Sequence, residues 1–135
     1  MTNHKEIQNT EAAMDAFQDY FSREVARPLF PSDTEASDTV ETLLNEALIN
    51  AWEHGNGKDP AKRIFVAWQI LENNGIKVSV RDEGPGFSPP GLNCPQAPPV
   101  SRRRGRGLII ISEFADSISF NKEGNELTFV FKGEG

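Results

Sequence analysis

Residues 44–57, LNEALINAWEHGNG, combine an apolar helical face with polar residues that a core helix does not need. Leucine and alanine recur at helical spacing, and Gly55 is a typical helix end. Glu46, Asn50 and His54 are four residues apart, so on a helix of ~3.6 residues per turn they form a stripe beside the apolar face. Such a stripe is by itself equally typical of polar residues at the boundary of a core, so other segments must decide whether it has a function.

The chain has 135 residues, the usual length of one domain, and residues 1–135 are expected to form a single domain. Its composition, 37% hydrophobic and 25% charged, is typical of a globular protein. The net charge of -6 argues against nucleic acid or a membrane surface as a partner. The absence of any apolar run near the ~20 residues of a transmembrane helix, and of a signal peptide, predicts a cytoplasmic protein. The single cysteine, Cys94, excludes an internal disulfide.

Two helices are predicted ahead of the first recognisable strand. The first runs from Thr10 to Arg27, where apolar residues recur at helical spacing, and Pro28 is expected to end it. The second begins in the thirties, where Ser32 and Glu35 are spaced as a capping box. The apolar face of this second helix consists of Val40, Leu44, Ala47, Leu48 and Ala51.

Strand-forming residues follow the second helix. RIFVAWQIL (63–71) is rich in β-branched and aromatic residues, and IKVSV (76–80) alternates between apolar and polar, so both are predicted to be strands. Asn74 and Gly75 between them are predicted to form a tight hairpin turn with both residues at positive φ, which makes the two strands antiparallel. Alternating apolar residues on either side of NKEGN (121–125) predict a final hairpin.

The segment between the two hairpins contains a loop and a third helix. Residues 87–104 hold five of the nine prolines and are predicted to be a long loop. GLIIISEFAD (107–116) fits a strand or a helix by periodicity, and the glycines before it favour a helix. The order of elements predicts an α+β fold, a two-layer α/β sandwich in which helices cover one face of a mixed, mainly antiparallel sheet.

A second candidate functional segment is VRDEGPGF, where Asp82 ends a strand and Gly84 and Gly86 follow. An aspartate in this position can accept a hydrogen bond from an exocyclic amine such as that of adenine, and the glycines let a ligand approach the backbone. Aspartate and glycine are also common where a strand simply ends in a turn, so this segment alone leaves both interpretations open.

A third segment, RRRGRGLIII, places Gly105 and Gly107 at the predicted start of a helix. Amides at a helix N-terminus can hold phosphate oxygens, and the helix dipole and nearby cations assist them. The cations available here are Arg102, Arg103, Arg104 and Arg106. These arginines are equally compatible with solvated charge or with a surface that docks another protein.

In order and spacing, the three segments together resemble the boxes of the GHKL (Bergerat-fold) ATPases. Members of this superfamily carry an N box with Glu and Asn four residues apart, a D-x-G-x-G box, a mobile ATP lid and a G-x-G-L box. The corresponding segments here are Glu46 and Asn50, DEGPG at 82–86, residues 87–104, and GRGL at 105–108. The resemblance covers nearly the whole chain. Within the superfamily, NEALINAWEHGN (45–56) is most similar to the small anti-sigma factor kinases of bacterial partner-switching pathways.

The resemblance implies a role for each matching residue. Asn50 would bind Mg²⁺ through its amide oxygen, with the metal bridging the phosphates of ATP. Asp82 would recognise adenine, and Glu46 would act as the catalytic base or orient the attacking hydroxyl. The further ATP-binding and lid-hinge positions implied by the resemblance are Gly84, Gly86, Arg104, Gly105, Gly107 and Leu108. The resemblance assigns no role to His54.

The same resemblance implies a function. It indicates an ATP-binding serine/threonine-protein kinase that phosphorylates a small antagonist protein and sequesters a sigma factor, and it favours a homodimer. One alternative is a switch that binds proteins in response to ATP without catalysis. Another is a detached catalytic domain of a histidine kinase, against which neither His4 nor His54 lies in a recognisable phosphoacceptor helix pair.

The chain departs from the family pattern at one position. Many members have a threonine after a glycine in the last hairpin, where it supports the adenine-binding aspartate. Here EGNEL offers Asn125 instead. An amide can also form hydrogen bonds at this position, but the exchange is expected to affect nucleotide affinity.

Overall fold

The structure, a computed structural model, describes residues 2–84 and 102–133, with the backbone alone at residue 73 and residues 102–106. Within these residues five strands form one sheet in the order β1-β2-β3-β5-β4, and each neighbouring pair is antiparallel. The strands are β1 (Thr2–Gln8), β2 (Arg63–Ile70), β3 (Gly75–Arg81), β4 (Ser117–Phe120) and β5 (Glu126–Lys132). The predicted α+β class is confirmed, and the sheet is antiparallel in all these pairs rather than mixed.

The first strand was not predicted from the sequence. β1 pairs along its whole length with β2, from Thr2 opposite Gln69 to Gln8 opposite Arg63. Its one buried side chain is Ile7, so the strand shows no alternation of apolar and polar residues. Backbone hydrogen bonds at the edge of the sheet, rather than burial of side chains, define this strand.

The first helix is longer than predicted and changes its pitch. Helix α1 (Glu11–Phe21) begins at Thr10, whose side chain accepts a hydrogen bond from the Ala13 amide, and continues through a π-helical turn (Ser22–Ala26) into α2 (Arg27–Leu29). Pro28 therefore lies inside the last helical turn, and the prediction that it ends the helix was wrong. The proline follows a π-helical turn, in which the pattern of backbone hydrogen bonds is already displaced by one residue.

The second predicted helix is α3 (Thr34–Ile49), which continues through a π-helical turn (Asn50–Gly55). Its N-cap is Asp33, whose Oδ1 accepts a hydrogen bond from the Ala36 amide at 3.0 Å. The predicted capping box of Ser32 and Glu35 is therefore wrong by one residue. This register buries Ala36, and a carboxylate at the cap also interacts favourably with the helix dipole. The predicted apolar face is confirmed, since Val40, Leu44, Ala47, Leu48 and Ala51 are all buried.

The connection between β2 and β3 differs from the predicted tight turn. The strands are antiparallel as predicted, but a short 3-10 helix (Glu72–Asn74) joins them. Asn74 has a φ of 63°, whereas Gly75 has a φ of -86°, so only one of the two residues is left-handed. The reason is the length of the loop, because the last paired residues are Ile70 and Ile76 and five residues separate them.

Helix α4 (Arg102–Phe114) confirms the helical interpretation of GLIIISEFAD. It begins before the predicted start, so residues 102–104 of the expected lid are helical, and Gly105 and Gly107 lie in the first two turns. Residues 87–101 of the expected lid lie outside the described residues. β4 and β5 form the predicted final hairpin.

The helices cover one face of the sheet, and the core lies between the two layers. Its fully buried large side chains include Phe21, Leu44, Leu48, Ile64, Val78, Ile111 and Phe129. The Trp68 ring of β2 lies with its centroid 5.7 Å from that of Phe17 and 6.0 Å from that of Phe21, so aromatic contacts hold α1 on the sheet. Among the described helices, none has the length and apolar character needed to cross a membrane.

The N-cap of α3 gives a first testable prediction. Asp33→Ala should lower the free energy of unfolding by about 1 kcal/mol, because it removes the acceptor of the Ala36 amide. Ser32→Ala is the matched control and should change stability by less than about 0.5 kcal/mol. Urea unfolding of both variants measures the difference. A larger loss in Ser32→Ala than in Asp33→Ala would show that the helix begins at Ser32.

Candidate functional site

The polar stripe of the second helix lies where α3 widens into its π-helical turn. Glu46 is half-buried in the last α-helical turn, and Asn50, only 8% exposed, begins the π-helical turn. His54 lies near the end of that turn. A π-helix turns less per residue than an α-helix, so the angle between Asn50 and His54 differs from the one predicted for a continuous α-helix.

Glu46 lies against the N-terminal half of α4. A methyl group placed on Gly107 would be 3.7 Å from Glu46 Oε1 and 4.0 Å from Glu46 Cδ. This is ordinary contact distance, so the carboxylate sits directly opposite the second turn of α4. The amides at the start of this helix carry the positive end of its dipole. A carboxylate and a helix N-terminus therefore border the same space.

Asp82 follows β3 and is only 3% exposed. A Cβ atom on Gly55 would overlap both the Asp82 carboxylate oxygens and its Cγ, so no side chain fits between the two residues. The Asp82 Oδ1 atom also accepts a hydrogen bond from the Gly84 amide at 2.7 Å. Gly84 in turn packs on the carbonyl group of Gly55, which any Cβ atom on Gly84 would overlap. The end of the π-helical turn and the D-x-G segment are thus in direct contact.

Asn125, the residue that departs from the family pattern, is part of the same arrangement. The Asn125 carbonyl oxygen accepts a hydrogen bond from the Asp82 amide at 2.9 Å. The Asn125 side chain accepts a hydrogen bond from the Asn121 side chain at 2.6 Å. Asn125 therefore supports Asp82 through its backbone, and its amide side chain also holds the final hairpin.

The structure brings several predicted residues together at one end of the molecule. α4 packs against both α3 and its π-helical turn, so the contact of Glu46 with Gly107 and that of Asp82 with Gly55 flank one continuous segment. Arg104 and Gly105 lie in the first turn of α4, and the Arg104 side chain is not described. Leu108 is buried in the core, which leaves its backbone for any contact with a ligand. Gly86 lies outside the described residues.

Two residues of this end were missed in the sequence. Glu53 lies beside His54, with 3.2 Å between Glu53 Oε1 and His54 Nε2, and Lys58 Nζ is 3.6 Å from Glu53 Oε2. Adjacent residues point apart on an α-helix, so no sequence spacing indicated this pair. Asn56 is buried at the C-cap of the π-helical turn. The signal for Asn56 was its place directly after the helix-ending glycine, where polar residues often cap.

The donor atoms beside α4 fit a magnesium ion. Asn50 has an amide oxygen, and Glu46 has a carboxylate one helical turn earlier. Mg²⁺ prefers oxygen ligands, takes few of them from the protein and completes its shell with water and phosphate. The Asn50 amide oxygen is of the ligand type that this ion takes from proteins.

The contact between Gly55 and Asp82 gives a second testable prediction. Gly55→Ala should displace the Asp82 carboxylate and weaken ATP binding by at least about tenfold, which isothermal titration calorimetry measures. Gly57→Ala is the matched control, because Gly57 has a φ of 60° but has no atom within 4 Å of an added methyl group. The control should lose stability through backbone strain and keep its ATP affinity. If folded Gly55→Ala protein bound ATP as tightly as the wild type, the expected role of Asp82 in ATP binding would be wrong.

Comparison with known proteins identifies a matching domain family and several relatives. The profile of the histidine kinase-like ATPase domain matches residues 7–131. The chain is similar to the anti-sigma F factor of Geobacillus stearothermophilus, with 31% identity over 108 residues, which cover 76% of this chain and 71% of that protein. It is also similar to the anti-sigma F factor of Clostridium perfringens (strain SM101 / Type A), with 30% identity over 105 residues, which cover 74% and 72%.

A further relative is the anti-sigma F factor of Geobacillus thermodenitrificans (strain NG80-2), with 30% identity over 97 residues. The alignment covers 68% of this chain and 64% of that protein, so it spans a little less than two thirds of the relative. The match over residues 7–131 includes both helices that border the site, the whole of β2, β3 and β4, and β5 except its last residue. The chain therefore belongs to the histidine kinase-like ATPase family.

Proposed function

We propose that this chain is an ATP-dependent serine/threonine-protein kinase that phosphorylates a small antagonist protein and sequesters a sigma factor. Membership of the histidine kinase-like ATPase family implies that it binds ATP. The name anti-sigma F factor, carried by several relatives, supports a sigma factor as partner of this chain as well.

One observation carries the proposal. Two carboxylates flank the end of α3, with Glu46 opposite Gly107 and Asp82 against Gly55. Glu46 and Gly55 are nine positions apart, which at ~1.5 Å per α-helical residue is roughly 13 Å at most, since the π-helical part rises less per residue, and this is on the order of the length of a nucleoside triphosphate. A nucleotide along this segment would have adenine at Asp82 and its phosphates at the start of α4.

Each end of the proposed site has suitable chemistry. At the adenine end, the Asp82 carboxylate accepts a hydrogen bond from the exocyclic amine, while the Gly84 amide holds its Oδ1 atom in place. At the phosphate end, the N-terminus of α4 attracts negative charge. A Mg²⁺ ion held by Asn50 would neutralise charge on the phosphates.

Glu46 is the proposed catalytic residue. Phosphoryl transfer depends mainly on positioning and on charge stabilisation, and a carboxylate is needed to accept or orient the proton of the attacking hydroxyl. Glu46 lies opposite Gly107, whose missing side chain leaves the space beside the carboxylate open. A serine or threonine hydroxyl of the antagonist would approach through that space.

Transfer of labelled phosphate separates this proposal from its two alternatives. The wild-type chain is incubated with γ-labelled ATP and a panel of purified bacterial anti-sigma factor antagonists. A kinase of the proposed kind labels an antagonist on serine or threonine, and this label is stable in acid. Binding of ATP without any label on protein would favour the non-catalytic switch. Label that acid removes would indicate histidine phosphorylation.

The proposed base gives a third prediction. Glu46→Gln should reduce phosphate transfer at least about 100-fold, because the amide cannot accept the proton, while the Kd for ATP stays within about threefold. Transfer rates from labelled ATP and calorimetric ATP titrations measure the two effects. Transfer at the normal rate by Glu46→Gln would remove Glu46 from the mechanism.

The proposed adenine contact gives a fourth prediction. Asp82→Asn should raise the Kd for ATP at least about tenfold, because the carboxylate acceptor of the exocyclic amine is replaced by a weaker, neutral one. The control is Asp59→Asn, a substitution of the same kind at an exposed position. Calorimetric titration measures the Kd for ATP of both variants. Equal Kd values for Asp82→Asn and Asp59→Asn would contradict the role of Asp82.

A further inference from the structure

Asn56 forms the centre of a buried hydrogen-bond network next to Asp82. The residue is only 2% exposed. Both polar atoms of its side-chain amide form hydrogen bonds. The Oδ1 atom accepts a hydrogen bond from the Glu83 amide at 2.8 Å. The Nδ2 atom donates to Asn9 Oδ1 at 3.0 Å and to the Arg63 carbonyl at 2.9 Å. One side chain thus connects three segments that are distant in sequence.

Asn9 anchors the other side of this network. It is 1% exposed, its Nδ2 atom donates to the Asp59 carbonyl at 3.0 Å, and its backbone amide donates to the Lys62 carbonyl at 3.2 Å. Both amide side chains are therefore fixed by groups on the segment that leads into β2. Buried amides with satisfied donors and acceptors hold a single orientation, because any other would leave polar groups without partners.

The network fixes the backbone on both sides of Asp82. The Asp82 amide donates to Asn125, and the next amide in the chain, that of Glu83, donates to Asn56. A side chain oxygen of Glu83 also accepts a hydrogen bond from the Arg63 amide. With both flanking peptide planes held, the direction of the Asp82 Cα–Cβ bond is set.

Asn56 also follows Gly55 directly, and Gly55 is the residue on which the Asp82 carboxylate packs. Asn56 therefore holds both the surface beneath the carboxylate and the peptide that follows it. We propose that Asn56 is a positioning residue that orients the Asp82 carboxylate for recognition of the adenine amine. This inference rests on the proposed function, in which Asp82 binds adenine.

A comparison of ATP with inosine triphosphate tests the role of Asn56. Inosine triphosphate has a carbonyl oxygen where ATP has the exocyclic amine and a proton on the adjacent N1, and its ribose and phosphates are the same. In Asn56→Ala, the Kd for ATP should rise about tenfold, while the Kd for inosine triphosphate changes less than about twofold. The preference for ATP over inosine triphosphate should therefore fall about tenfold. If Asn56 had a purely structural role, Asn56→Ala would weaken the binding of both nucleotides equally.

Two further variants separate positioning from stability. Asn56→Asp keeps an oxygen acceptor for the Glu83 amide but loses the donors to Asn9 and Arg63, so it should be less stable yet keep its ATP preference within about threefold. Gln18→Ala is the matched control, because it removes a side-chain hydrogen bond to the Glu41 carbonyl between α1 and α3. This control should lose stability without changing the nucleotide preference.

The outcomes are distinct. If folded Asn56→Ala keeps the ATP preference of the wild type, whether its affinities are unchanged or fall equally, the proposed role of Asn56 is wrong. The proposed function is not affected by this outcome. If the wild-type chain shows no preference for ATP over inosine triphosphate, both the role of Asn56 and the adenine contact of the proposed function are wrong. Where Asn56→Ala does not fold, Asn56→Ser takes its place, because the serine hydroxyl can be hydrated but is too short to reach the Glu83 amide. The same fall in preference is expected for Asn56→Ser, and its absence overturns the inference.

Discussion

The burial of one face of α3 is the constraint on which the rest of the molecule depends. Leu44 and Leu48 are fully buried between the other helices and the sheet, so the helix cannot rotate or slide without exposing them. This packing holds the neighbouring polar residues at the rim of the core. The position of Glu46 and Asn50 beside α4 follows from the burial of the leucines rather than from any interaction of their own.

The change from α-helix to π-helix at Asn50 adds a second constraint. An α-helix that continued to Gly55 would present its last residues in another direction, and the contact of Gly55 with Asp82 depends on where the helix ends. π-helical turns are less stable than α-helical ones and persist where the surroundings favour them. Here the surroundings are the Asp82 carboxylate and the network around Asn56. The two ends of the proposed nucleotide site are thus connected by one irregular turn.

Much of the fold could be predicted because it depends on local patterns. The apolar face of α3 repeats at helical spacing, and the alternation around residues 76–80 and 121–125 gives two antiparallel hairpins. β1 could not be found in this way, since only Ile7 is buried and the strand is held by its backbone. The choice of Asp33 over Ser32 as N-cap was also undetermined, because both residues cap well and the core decides the register.

The candidate site was predictable in part for a similar reason. Glu46, Asn50 and Asp82 stand in motifs whose order and spacing are recognisable in a single sequence. The role of Asn56 depends on partners 47 and 27 residues away, which no local pattern indicates. Gly55 ends the helix as predicted, but its close packing against the Asp82 carboxylate was not indicated by the sequence. Long-range contacts of this kind require coordinates.

The edge strand β1 has a consequence for ligand affinity. Asn9 directly follows Gln8, the last residue of β1, and the Asn9 side chain holds the Asn56 amide. Detachment of β1 from the sheet would therefore release one side of the network that orients Asp82. Thermodynamic linkage makes this relation reciprocal, so a ligand that requires an ordered Asp82 must also stabilise the docked strand. Slower hydrogen exchange in the N-terminal strand would therefore accompany nucleotide binding at Asp82.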